Sequence, residues 1–160
     1  MTKNIKFILN QVISLSLLPY VVIFTALSFF VSFLLYVVLY LIGIQTEHVS
    51  TPSLKYSGIF KIILMGVFLA PIIETFIFQK LFFDFLRHKI KVRFIVLISA
   101  LCFGFSHFYD LVYVINTFFI GIILSIAYSL WKKKNITPFW IVVIIHLLHN
   151  LIILLFQMDT

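Results

Sequence analysis

The chain has 160 residues, 63% of them apolar and 18% aromatic, with only 11% charged and a mean hydropathy of +1.20. That balance lies outside the range of soluble domains and leaves no room for a water-soluble module beside a membrane bundle, so one membrane domain over residues 1–160 is expected. The formal charge of +7 would suggest nucleic acid in a soluble protein. Here the cations stand in short clusters between apolar runs, where they read as topology signals, and no nucleic-acid partner is expected.

Residues 4–18 put Ile5, Ile8, Leu9, Val12 and Ile13 at helical spacing opposite Lys6, Asn10 and Gln11, the pattern of a helix at the membrane surface. Pro19 is the predicted break. The uncharged run from Ile13 to Ile44 would reach about 48 Å as one helix against a hydrocarbon core of about 30 Å, which fits one span with an interfacial approach. A polar loop follows at 45–58. Further spans are predicted from Ile59 to Phe83, Phe94 to Phe108, Leu111 to Trp131 and Ile136 to Phe156, joined by 84–93, a tight turn at Tyr109 and Asp110, and the lysine cluster 132–134. The fold class is therefore all-α, a polytopic bundle of about five spans plus an N-terminal interfacial helix.

Charge orients the bundle in a cell membrane with the N-terminus cytoplasmic. Lys3, Lys6, Lys80, Arg87, Lys89, Lys91, Arg93 and Lys132 to Lys134 then collect inside, while Glu47, Asp110 and Asp159 fall outside. Trp131, Tyr128, Tyr36, Tyr40, Tyr109 and Tyr113 are expected as interface belts. The one cysteine, Cys102, excludes an intrachain disulfide and reads as a packing residue.

Within the spans the polar residues are few: Glu74, Thr75 and Gln79, then Ser106 and His107, Asn116 and Thr117, and His146, His149 and Asn150. An ionisable group at membrane depth is costly and should face a partner or a wet cavity, so Glu74 needs company. His146 and Asn150 are four apart and share a helix face, with His149 on its flank. Phe103 lies one turn before His107, and Pro71 should loosen the helix three residues ahead of Glu74. Ser106, Asn116 and Thr117 read as packing or interhelical hydrogen bonders.

The order PIIE, FxxxH, HxxxN, carried by Pro71 to Glu74, Phe103 to His107 and His146 to Asn150, resembles the CPBP family of intramembrane proteases, also called the CAAX-protease, bacteriocin-processing or Abi family, over about residues 60–156. The resemblance implies that Glu74 is the general base for water, that His107 shares that water, and that His146 and Asn150 form the oxyanion hole. The substrate would be a membrane-associated peptide or protein. Where the family has EExxxR this chain has ETFIFQ; Thr75 and Gln79 replace both charged partners together and are expected to bond to each other as neutral groups, with His149 as a further supporting residue.

No cofactor is expected. Zinc held by Glu74, His107 and His146 or His149 is the unfavoured alternative, since the chain lacks an HExxH helix and Asn150 is a poor zinc ligand. Two other readings are a catalytically degenerate binding or scaffold protein of the same fold and a proton-coupled transporter.

Overall fold

A computed structural model describes residues 3–44, 58–108, 110–131 and 136–158. Most of the predicted 45–58 loop, Tyr109, the 132–134 lysines and Asp159 lie outside the described residues. The helices are α1 (Lys3–Ser14), α2 (Leu17–Leu41), α3 (Ile59–Leu86), α4 (Val92–Phe105), α5 (Leu111–Leu130) and α6 (Pro138–Met158). Four of them, α2, α3, α5 and α6, are long and apolar enough to cross a membrane. This is an all-α polytopic membrane bundle.

The predicted third span differs from the others. Its helix α4 has 14 residues, about 21 Å, short of a hydrocarbon core of about 30 Å. It ends at Phe105, so Ser106 and His107 sit in the turn beyond it. The N-terminal break also shifts: the chain turns at Leu15 and Ser16, and Pro19 lies in the first turn of α2, where its missing N–H costs nothing.

Helix α3 is not α-helical throughout. It winds as a π-helix over Ile63–Leu69 and again over Thr75–Leu81, with the α-helical segment Ala70–Glu74 between them. Such wide turns are uncommon and concentrate at functional places. Ser99 of α4 donates to the Phe78 carbonyl in the second wide segment at 2.6 Å.

The start of α2 meets the end of α5, which also meets the end of α3. Tyr20 stacks edge-on against Trp131 and donates its hydroxyl to the Ala127 carbonyl, while Phe83 packs on Tyr128. Trp131 thus packs within the bundle. It is buried, and its indole N–H donates to the Ile136 carbonyl at 2.9 Å.

Helices α4 and α5 form a close hairpin because two glycines leave out side chains at their contact. A Cβ on Gly121 would lie 3.0 Å from Ala100 Cα, and one on Gly104 would lie 3.0 Å from Phe118 Cβ. Asp110 caps α5 by accepting from the Tyr113 N–H at 2.8 Å. The hairpin fixes Phe103, buried in one core cluster with Ile120 and Ile145, and Phe103 in turn packs on the two imidazoles of the candidate site.

Candidate active site

Glu74 ends the short α-helical segment of α3, at the point where the second π-helical stretch begins. Its Oε1 lies 3.7 Å from His107 Nε2 and its Oε2 lies 3.5 Å from His146 Nε2. Three separate elements, α3, the turn after α4, and α6, thus meet at one carboxylate. Neither separation is a direct hydrogen bond, and a water bonded to two of the groups would sit beside the line that joins them. The Glu74 side chain is 23% exposed, against 13% for His107 and 4% for His146, so the carboxylate keeps an opening while the imidazoles are enclosed.

The two histidines take opposite roles. His107 Nδ1 lies 2.9 Å from the Phe103 carbonyl, which only an N–H can satisfy, so the proton of the neutral ring is on Nδ1. Its Nε2 then turns a lone pair towards Glu74. The ring packs edge-on against Phe103 and Tyr113, with centroids at 5.0 and 5.1 Å, and Ser106 Oγ lies 3.1 Å from Nδ1. His146 Nδ1 is buried with no hydrogen-bond partner among the described residues. An unpaired N–H there would cost more than an unpaired lone pair, so the ring proton belongs on Nε2, aimed at Glu74. Phe103 also packs edge-on against His146 at 5.7 Å, holding both rings.

The remaining candidates are placed elsewhere. Asn150 lies one turn beyond His146 and faces the same helix, but its Nδ2 donates to the Gly66 carbonyl of α3 at 2.9 Å, two turns before Glu74. His149 points to α2, with Nδ1 3.0 Å from Ser28 Oγ. Thr75 and Gln79 are both 0% exposed, and the hydrogen bond expected between them is not formed: Thr75 Oγ1, Gln79 Nε2 and Gln79 Oε1 have no partner among the described residues. The wide winding of Thr75–Leu81 takes the pair out of the α-helical i,i+4 geometry that the expected bond presupposed. Asn116 accepts from Ser32 of α2 at 2.8 Å, and Thr117 bonds back to its own helix at Tyr113. Cys102 is exposed on the bundle surface.

Among the described residues no three His, Cys, Asp or Glu side chains are grouped so that they could hold a metal ion. A cavity of about 620 Å³, lined by Lys80, Arg87, Tyr128, Thr137 and Trp140, contains none of the candidate residues.

Ser28 and Ser32 were not singled out from the sequence. The signal was present as serines spaced four apart in an apolar span, but its partners lie more than 80 residues away.

The sequence profile of the type II CAAX prenyl endopeptidase Rce1-like family matches residues 56–152, a stretch that contains Glu74, His107, His146 and Asn150. The chain belongs to the Rce1-like family. It is also 33% identical over 96 residues to the membrane-embedded CAAX protease MroQ of Staphylococcus aureus (strain USA300), an alignment covering 56% of this chain and 36% of MroQ. The chain thus spans well under half of the curated relative's length. No solved structure matches this Rce1-like chain.

Proposed function

We propose that this protein is an intramembrane endopeptidase of the glutamate type, hydrolysing a peptide bond of a membrane-associated substrate within the bilayer. The observation that carries the reading is the convergence of His107 Nε2 and His146 Nε2 on the two oxygens of Glu74, at 3.7 and 3.5 Å. Membership of the Rce1-like family and likeness to a CAAX protease support the reaction class.

A water bridging Glu74 and His107 from one side donates one hydrogen to the carboxylate and the other to the Nε2 lone pair. It attacks the scissile carbonyl while Glu74 takes a proton. The new oxyanion accepts from His146 Nε2–H, a donor worth about 2.7–4 kcal/mol in the transition state. Glu74 then returns its proton to the departing amine, while the water's second hydrogen stays on the attacking oxygen, so that a carboxylic acid and a free amine leave with the enzyme unchanged. No acyl-enzyme forms and no metal takes part. Asn150 enters through its bond to Gly66.

The test is cleavage of a membrane-peptide library by the protein in nanodiscs. Glu74→Gln is expected to abolish cleavage, and His146→Phe to lower kcat about 10²–10³-fold. Chelators are expected to leave the rate unchanged; loss on chelation with recovery on zinc would move the reading to a metalloprotease.

A degenerate scaffold is the second reading, favoured by the two buried neutral side chains Thr75 and Gln79. It requires that wild type and Glu74→Gln retain the same bound peptides uncut. A proton-coupled transporter would instead show pH-dependent flux in liposomes. The basic residues Lys3, Lys6, Lys80, Arg87, Lys89, Lys91 and Arg93 support a cytoplasmic N-terminus. Impermeant thiol labelling of a cysteine at residue 3 in a Cys102→Ser background tests it, and labelling of intact cells would contradict it.

A further inference from the structure

Pro71 and Asn150 are connected through a single backbone carbonyl. In the first π-helical segment the Ala70 N–H bonds to the Met65 carbonyl, five residues back. Continued by one residue, that register leaves the Gly66 carbonyl waiting for the N–H of residue 71, which is proline and has none. In hydrocarbon a stranded carbonyl is expensive, and a side chain from a neighbouring helix is the usual remedy. The side chain present is Asn150, with Nδ2 2.9 Å from Gly66 O.

We infer that Asn150 is a positioning residue: its amide replaces the backbone donor removed by Pro71 and so stabilises the broken winding of α3 that presents Glu74. The inference rests on the proposed role of Glu74 as the reacting carboxylate. Helix α6 grips α3 at two places, through Asn150 at Gly66 and through His146 at Glu74, and the one-turn spacing of HxxxN supplies both grips from one face. Pro71 itself is buried between them. Asn suits the task because its amide donates without bringing a charge into the membrane.

The sequence allows the carbonyl to be read alone, since Gly66 and Val67 form its one Gly-Val step. Protein labelled with carbonyl-¹³C glycine and ¹⁵N valine, studied in bilayers by solid-state NMR, reports the Gly66 carbonyl. Asn150→Ala is expected to move that resonance upfield and to lower cleavage at least about tenfold. In a Pro71→Ala background, where residue 71 regains an N–H, adding Asn150→Ala is expected to cost less than about threefold. An unmoved carbonyl in Asn150→Ala would overturn the inference. So would a loss of cleavage as large in the Pro71→Ala background as in the wild type, the outcome required of an oxyanion donor. Undiminished cleavage by Glu74→Gln would defeat the proposed function instead; the carbonyl shift, with thermal unfolding of the four variants, would still decide the coupling of Asn150 to Pro71.

Discussion

Gly121→Ala tests the packing that holds the site together. A Cβ at residue 121 would lie 3.0 Å from Ala100 Cα and 3.0 Å from Phe103 Cδ1, whereas carbon atoms rest at about 3.5–4.0 Å. The first neighbour is backbone on a fully buried residue and the second is a ring 1% exposed, so neither can swing away. Alanine by itself favours the helix by about 0.8–1.0 kcal/mol over glycine. Overpacking costs about 1–3 kcal/mol, which leaves a net loss of up to about 2 kcal/mol. The effect on activity should exceed the effect on stability, because Phe103 carries the carbonyl that holds His107 and packs on both imidazoles. The assay is unfolding in detergent or nanodiscs paired with cleavage at a temperature where the variant is folded. Gly58→Ala, with nothing among the described residues within 4 Å of the added carbon, is the control. A Gly121→Ala protein stabilised by about 1 kcal/mol with unchanged cleavage, as propensity alone would give, would refute the close α4–α5 contact.

Other consequences follow from the buried polar groups. Ser28→Ala leaves His149 Nδ1 without the hydroxyl 3.0 Å away and should cost roughly 0.6–1.7 kcal/mol, the range of interhelical bonds in membranes. A double-mutant cycle with His149→Phe should recover that coupling, and a cycle that closes to zero would contradict the contact. Thr75→Val with Gln79→Met removes three buried atoms that lack partners among the described residues, so stability should rise by about 1–3 kcal/mol. A fall in stability would mean that those atoms are bonded in the membrane. Trp131→Phe should lose about 1 kcal/mol with its indole bond to Ile136, and an unchanged melting temperature would contradict a stabilising role for that bond.

Much of this fold is written in the lengths of apolar runs, because lipid leaves a spanning segment little choice but a helix of set length. Helices α3, α5 and α6 accordingly begin and end within a few residues of where the runs do. The need of Glu74 for polar partners is legible for a related reason, although the sequence does not show which of the candidates reach it. A carboxylate and imidazoles stand out against leucine and phenylalanine, and a membrane gives them few places to go except towards one another. What escaped the sequence is what periodicity cannot encode in a helix that is apolar on most sides. The two π-helical segments of α3 leave no pattern when nearly every residue is hydrophobic, and so the Thr75 and Gln79 geometry was read on the wrong turn. The family resemblance pairs Asn150 with His146 as an oxyanion donor; its bond to Gly66 depends on a backbone carbonyl, which has no letter. The bond from the Trp131 indole to the Ile136 carbonyl likewise depends on the fold and not on composition.

The central claim is that Glu74 is the base of a peptide-bond hydrolysis. It is tested most directly by comparing the membrane peptidome of cells expressing the wild type, Glu74→Gln at equal abundance, and neither. The account predicts cleavage products present with the wild type and absent from the other two. Products undiminished in Glu74→Gln would contradict it.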